Sequence, residues 1–102
     1  MQKLSFIDKI LNSNQIEEAN IVEKFLDRID NILSCYDDFM DEIYSDIFYE
    51  LYLNEDKKSY LKIAISLNIS TSKVYETKRK IEAYAKKLIC SNKDFFVLKR
   101  YL

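Results

Sequence analysis

The 102-residue chain contains no glycine, proline, histidine or tryptophan. Phosphate-binding loops and dinucleotide-binding turns need the backbone freedom of glycine, so both kinds of nucleotide site are excluded. The absence of histidine removes the commonest general base and most sets of zinc ligands. We therefore expect no enzymatic activity and no bound cofactor.

Cysteine is scarce, and long apolar runs are missing. Cys35 and Cys90 lie far apart in the sequence, and we interpret them as free, mostly buried thiols in a reducing cytoplasm. No apolar run approaches the roughly 20 residues that a membrane-spanning helix needs. The N-terminal stretch also lacks the small-residue cleavage site of a signal peptide. The expected location is the cytoplasm, without membrane contact.

Charge is divided unequally along the chain, although the net charge is only −1. Residues 1–50 carry four basic and twelve acidic side chains, whereas residues 51–102 carry twelve basic and five acidic ones. A basic half of this kind is typical of a surface that meets a polyanion. Since 48% of the residues are apolar, the chain can also build a core. We infer a folded protein whose basic half meets a polyanion.

Apolar residues recur at helical spacing, and no long alternating pattern predicts a strand. The expected class is all-α, a small helical bundle with acidic N-terminal helices. The predicted helices cover residues 4–11, 15–34, 37–53, 59–67 and 71–89, with a short last helix beginning at 91–94. Ser5 is the predicted cap of the first helix. One long bent helix across Tyr36–Asp38 is an alternative to the break there. The loop at 54–59 divides an acidic region, 1–53, from a basic region, 54–102.

The segment "IAISLNIS", residues 63–70, has the features of a tight turn between two steeply packed helices. Ala64 is small enough for the helices to approach closely. Asn68 tolerates the left-handed backbone conformation that ends helices. The Ser70 hydroxyl can accept a backbone N–H at the start of the next helix. The pattern predicts a C-terminal helix-turn-helix, whose second helix enters the major groove of DNA.

The exposed side of that second helix carries the candidate DNA contacts. The candidates for base edges are Thr71, Ser72, Tyr75, Glu76 and Arg79. Arg79 can pair with guanine and Glu76 can accept from cytosine, but Glu76 is equally suited to an ion pair with Lys80. The candidates for phosphate contacts are Lys58, Lys62, Ser70, Lys73, Lys78, Lys80, Lys86 and Lys87.

The stretch "IAISLNISTSKVYETKRKIEAYAKKL" resembles the helix-turn-helix of sigma-70 region 4, with the rough pattern IA-x-x-L-x-IS-x-x-x-V and then a basic helix. The matching residues are Ile63, Ala64, Leu67, Ile69, Ser70 and Val74. Over residues 46–90 the chain is similar to small phage transcription regulators of the ArpU and RinA type. The resemblance implies a sequence-specific DNA-binding regulator of phage or mobile-element origin. It departs at Thr77, where many relatives carry a larger apolar residue.

The acidic half carries two further patterns. The carboxylates of Asp37, Asp38, Asp41 and Glu42 are clustered, but their spacing fits no calcium loop, so we expect a solvated helix face and no metal. An apolar stripe on the 15–34 helix is predicted to be a homodimer seam or a contact for a partner such as RNA polymerase, with core packing as the alternative. The stripe consists of Ala19, Val22, Leu26, Ile29 and Leu33.

Two alternative functions remain open at the level of sequence. The first is a helical interaction protein that binds RNA polymerase or another protein partner without reading DNA. The second is a small terminase-type subunit that recognises DNA for packaging instead of transcription.

Overall fold

The computed structural model describes residues 5–12, 19–40 and 43–102, and every regular element in these ranges is helical. Helix α1 spans Phe6–Leu11, α2 spans Ala19–Met40, and α3 spans Tyr44–Phe48 and continues as a π-helical turn, Tyr49–Leu53. Helix α4 spans Tyr60–Leu67, α5 spans Thr71–Ser91, and a C-terminal 3₁₀ helix covers Lys93–Tyr101. The predicted all-α bundle is confirmed.

The start of α1 is fixed by the predicted cap. The Ser5 Oγ accepts the N–H of Asp8 at 3.3 Å, and the Asp8 carboxylate accepts the N–H of Ser5 at 3.3 Å. This reciprocal pair is a capping box, which satisfies two backbone donors that the helix itself leaves unpaired. The predicted first residue of this helix, Leu4, lies outside the described residues, as do residues 13–18.

The break between the two acidic helices lies later than predicted. Helix α2 continues through Tyr36 and ends at Met40, and α3 begins only at Tyr44. Asp37 explains this start, because its carboxylate accepts the N–H of Tyr44 at 2.6 Å and the N–H of Ser45 at 3.1 Å. It also accepts the Ser45 hydroxyl. A carboxylate near the end of α2 therefore caps α3, which has no side-chain cap of its own.

Helices α4 and α5 are joined by the three residues 68–70, as the sequence pattern predicts. Asn68 has φ 58° and ψ 46° and is the one described residue other than glycine with positive φ. The N–H of Ile69 donates to the carbonyl of Ala64 at 2.9 Å, and the N–H of Asn68 donates to the carbonyl of Ile65 at 3.2 Å. These two bonds form the Schellman motif, which satisfies carbonyls at the end of α4.

Serine caps fix the starts of both helices of this pair. The Ser59 Oγ accepts the N–H of Lys62 at 3.2 Å, and the Ser70 Oγ accepts the N–H of Lys73 at 3.1 Å. The predicted cap at Ser70 is therefore confirmed. A small cluster of Ile47, Ile63, Ala64 and Val74 packs the pair against α3.

One hydrophobic core joins the two halves of the chain. The rings of Phe25 on α2 and Phe95 on the 3₁₀ helix meet edge to face, with 5.7 Å between their centroids. The buried residues of this core come from both the 1–53 region and the 54–102 region. The buried members are Ile7, Ile10, Phe25, Ile29, Leu33, Phe48, Tyr52, Ile81, Ala85, Leu88, Ile89, Phe95 and Leu98.

Most residues of the apolar stripe on α2, which we predicted to be a homodimer seam or partner contact, pack against the hydrophobic core of the same chain. Ile29 is 0% exposed and Leu33 is 5% exposed, because both lie on the face of α2 that covers this core. Val22 and Leu26 are half-buried against the same core, and Ala19 is exposed. Ile29 and Leu33 are therefore unavailable for contact with a second copy.

Two other surface features complete the fold. Cys35 and Cys90 are free, as predicted, but the expectation that they are mostly buried is wrong. Both lie on outward faces of their helices, α2 and α5, because the core residues occupy the opposite faces. None of the described helices combines the length and apolar character that crossing a membrane requires.

Candidate nucleic-acid interface

Most of the base-edge candidates share one exposed face of α5. Ser72, Tyr75, Glu76 and Arg79 follow the spacing i, i+3, i+4 and i+7, and all four are exposed. Thr71 stands at the first helical position and is half-buried. Four neighbouring side chains with different chemistry therefore project from the first turns of this helix.

The opposite face of α5 fixes how the helix is rotated. Val74, Ile81, Ala85 and Leu88, which the sequence pattern predicts to face inward, are all buried. Thr77 is buried on the same face. Since these positions pack against the rest of the bundle, the side chains that reach solvent are determined by packing.

Tyr60 and Tyr75 form an aromatic pair at the outer surface of α4 and α5. Their rings meet edge to face with 4.6 Å between centroids, and Tyr75 remains 48% exposed. The Lys78 Nζ lies 5.5 Å from the centroid of the Tyr60 ring, a cation–π contact. Tyr60 thus positions one base-edge candidate and one phosphate candidate. Sequence reasoning missed it, because no local spacing links residue 60 to residue 75.

Tyr44 gathers two of the phosphate candidates around one ring. The Lys73 Nζ and the Lys80 Nζ lie 5.5 Å and 5.6 Å from its centroid. The Lys80 ammonium also donates to the Tyr44 Oη at 3.2 Å, and this bond raises the pKa of Lys80. Tyr44 was also missed by sequence reasoning, since it lies 36 residues from Lys80 in the chain.

Several candidate lysines are paired with carboxylates. The Lys80 Nζ lies 3.5 Å from Glu76, so the ion-pair interpretation of Glu76 is the one observed. The Lys58 Nζ lies 3.1 Å from Glu50 in the π-helical turn, which ties the 54–59 loop to that turn. Pairs as exposed as Lys80–Glu76 are weak and exchange readily with other partners.

The Lys78 side chain is held by neighbours on two sides. Its Nζ lies 3.9 Å from the Glu82 carboxylate, one turn further along α5. Burial lowers the pKa of Lys78, but the Tyr60 hydroxyl and the Glu82 carboxylate outweigh this and leave the pKa raised. The side chain is therefore positively charged at neutral pH.

The remaining phosphate candidates lie on α4, at the start of α5 and further along α5. Lys62, Lys86 and Lys87 are exposed, and the Ser70 hydroxyl is used as the cap of α5. Lys86 lies about 20 Å along the helix axis from Ser72, given the rise of an α-helix. The structure thus places Lys73 and Lys80 beside Tyr44 and Lys78 beside Tyr60, and it leaves Lys86 and Lys87 further along α5.

The clustered carboxylates of the acidic half offer no metal site in the part of the chain that the structure describes. No group of three or more His, Cys, Asp or Glu side chains is placed there to hold a metal ion. Asp37 is used as the cap of α3. Asp41 and Glu42 lie outside the described residues, as does the side chain of Asp38.

Comparison with protein-family models, with curated proteins and with solved structures finds no match to this chain. Its function must therefore be inferred from its own residues.

Proposed function

We propose that the protein is a sequence-specific DNA-binding transcription regulator of phage or mobile-element type. In this proposal α4 and α5 form a helix-turn-helix, and α5 enters the major groove. The observation that carries the proposal is the exposed face of α5 formed by Ser72, Tyr75, Glu76 and Arg79. Recognition helices read base edges with residues of this kind near their N-terminal ends.

The turn between the helices supports the proposal. Asn68 is left-handed and Ser70 caps α5, so the second helix begins abruptly with its first turn at the surface. Backbone N–H groups at a helix N-terminus favour phosphate groups, because the helix dipole places partial positive charge there. The buried Ala64 permits close contact between the two helices.

The electrostatics of α5 also favour a polyanionic partner. Lys78 and Lys80 are positively charged at neutral pH and lie beside the Tyr60 and Tyr44 rings. Phosphate groups can replace Glu76 beside Lys80, since the exposed ion pair between them is weak. Binding would release counterions from the DNA, and affinity should therefore fall steeply with salt.

The proposal is tested by fluorescence polarisation with labelled DNA from upstream of the protein's own gene, at several salt concentrations. We expect Arg79→Met to weaken binding to the preferred DNA by about fivefold to a hundredfold, since a bidentate contact with guanine contributes about 1–3 kcal/mol. Binding to random DNA should change much less. Lys87→Met, on the same helix, is the matched control. It should weaken binding to the preferred DNA and to random DNA by a similar small factor.

The proposal would be contradicted if the protein fails to bind DNA at low salt while its circular dichroism remains helical. The role of Arg79 would be contradicted if Arg79→Met weakens binding to preferred and random DNA equally.

A helical interaction protein is the second candidate, because α4 exposes two large apolar side chains. Leu61 is 60% exposed and Ile65 is 70% exposed, and they are neighbours at i and i+4 on the helix. Exposed apolar side chains that adjoin one another are typical of surfaces that contact other proteins. A folded protein without affinity for DNA would favour this candidate. The terminase-type role uses the same α5 surface and is supported by no separate observation.

A further inference from the structure

A cavity of about 320 Å³ opens between α2, the start of α3 and α5. An adjoining cavity of about 450 Å³ shares Ile32, Tyr36 and Tyr84 with it and adds Cys35. Small-molecule sites have this size and this mixture of apolar and aromatic walls with a few polar groups. The lining residues of the first cavity are Ile32, Leu33, Tyr36, Tyr44, Thr77, Lys80, Ile81 and Tyr84.

The Lys80 ammonium is the polar group of this cavity that is suited to a ligand. Among the described residues Lys80 is the one charged residue in the lining, and the bond to the Tyr44 Oη holds its ammonium beside the aromatic wall. Thr77 is 1% exposed, and its Oγ1 has no hydrogen-bond partner among the described residues. A buried hydroxyl without a partner is unfavourable, but this oxygen is closed off from the cavity and offers a ligand no hydrogen bond.

We propose that the two adjoining cavities, which share the walls formed by Ile32, Tyr36 and Tyr84, are one binding site for a small aromatic carboxylate. The rings of Tyr36, Tyr44 and Tyr84 can pack edge to face against an aromatic ligand. The Lys80 ammonium can pair with the carboxylate through a charge-assisted hydrogen bond. Burial raises the pKa of Tyr84, so its phenol stays neutral and adds no charge that would repel an anion.

The ligand site goes beyond the DNA-binding proposal and stands without it. Lys80 is also a phosphate candidate, so the two proposals meet at this side chain. If both hold, the carboxylate and a DNA phosphate compete for one ammonium, and a bound ligand lowers the affinity for DNA.

The first experiment is isothermal titration of the full chain with 2-naphthoate and with the uncharged 2-naphthamide. We expect 2-naphthoate to bind about tenfold more tightly, because only the carboxylate forms the charge-assisted bond to Lys80. Lys80→Met should remove this difference, whereas Lys87→Met, outside the cavity lining on the same helix, should keep it.

The two free cysteines supply a second test that needs no substitution. Cys35 lines the adjoining cavity, whereas Cys90 lines neither, and both are exposed. Bound 2-naphthoate should therefore slow alkylation of Cys35 by iodoacetamide and leave the rate at Cys90 unchanged. Mass spectrometry of the digested protein measures both rates in one sample.

The site is overturned if 2-naphthoate does not bind, or if it protects both cysteines equally or neither. Equal affinity for 2-naphthoate and 2-naphthamide would remove the role of Lys80. Tighter binding of octanoate than of 2-naphthoate would replace the aromatic class with an aliphatic one. None of these titrations contains DNA, so failure of the DNA-binding proposal leaves their outcome intact.

Discussion

Among the described residues, Thr77 has the one buried side-chain polar atom without a hydrogen-bond partner. It is buried on the inward face of α5 between Val74 and Ile81, yet its hydroxyl has no partner among the described residues. Threonine within a helix often bonds to the carbonyl one turn earlier, and no such bond is present here. The folded state therefore carries the desolvation cost of a hydroxyl that water satisfies in the unfolded state.

Thr77→Val should stabilise the protein by about 1 kcal/mol or more, because valine has the same shape without the unpaired hydroxyl. In a thermal melt followed by circular dichroism, this corresponds to a rise in Tm of about 4–8 °C. Thr71→Val is the matched control, since Thr71 is less buried, and we expect a change within about 0.5 kcal/mol. A lower Tm for Thr77→Val would mean that the hydroxyl has a partner in solution.

Residues that act on their near neighbours in sequence could be predicted, and residues that act across the fold could not. Ser5, Asn68 and Ser70 need only the backbone within a few positions, so their roles follow from local chemistry. Tyr44 and Tyr60 act on α5 through contacts that depend on how the bundle closes. No periodicity in the sequence encodes such contacts, so the roles of Tyr44 and Tyr60 at the candidate interface could not be predicted.

At the scale of elements, the connection between α4 and α5 depends on one left-handed residue. A side chain with a Cβ costs about 1–2 kcal/mol in this conformation, and asparagine tolerates it better than most residues. Asn68→Ala should therefore lower the free energy of unfolding by about 1 kcal/mol. Asn68→Gly should leave the free energy of unfolding unchanged or raise it slightly, because glycine has no Cβ and adopts the left-handed conformation without steric cost.

Urea unfolding of both variants checks this prediction, with the alanine variant expected to have the lower midpoint. Equal midpoints would show that the left-handed turn does not limit the stability of the helical pair.

The predicted break between α2 and α3 lies earlier in the chain than the observed one, and this difference has a physical reason at the scale of elements. Asp37 looks like a residue that begins a helix, and it does serve as a cap, but it caps α3 from within α2. Its two acceptor oxygens reach backbone donors seven and eight residues ahead. A sequence pattern identifies a capping side chain without telling which helix it caps.

At the scale of the whole molecule, Tyr52 links the π-helical turn to α5. It should also make the free energy of unfolding vary with pH in the alkaline range. Its hydroxyl donates to the Glu82 carboxylate at 3.2 Å. Burial, with the charge of Glu82 as the next cause, raises the pKa of the Tyr52 phenol far above its ordinary value. The folded state thus keeps a proton that the unfolded state releases above about pH 10.

Because the unfolded state binds fewer protons there, ionisation of Tyr52 should leave the free energy of unfolding unchanged below about pH 9 and should lower it above about pH 10. The limiting contribution of this one group is about 1.4 kcal/mol per pH unit. Tyr52→Phe should be less stable than the wild type by about 0.5–1.5 kcal/mol at pH 8, through loss of the hydrogen bond. Above pH 10 this difference should shrink and then reverse.

Urea unfolding at pH 8, 9, 10 and 11 measures this dependence. Tyr49→Phe, whose ring is exposed, is the control and should follow the wild type throughout. A constant difference between Tyr52→Phe and the wild type over this range would show that ionisation of Tyr52 is not coupled to unfolding.

The edge-to-face contact of Phe25 with Phe95 lies inside the one core that both halves share. A genetic screen for variants that have lost an activity of α5 should therefore recover substitutions at Phe25. This residue lies 46 residues before the first residue of α5 in the chain. Expression of residues 54–102 alone would leave Ile81, Leu88 and Phe95 without their partners from α1 and α2. Such a fragment should aggregate or be degraded, because the basic half of the chain lacks a complete core without the acidic half.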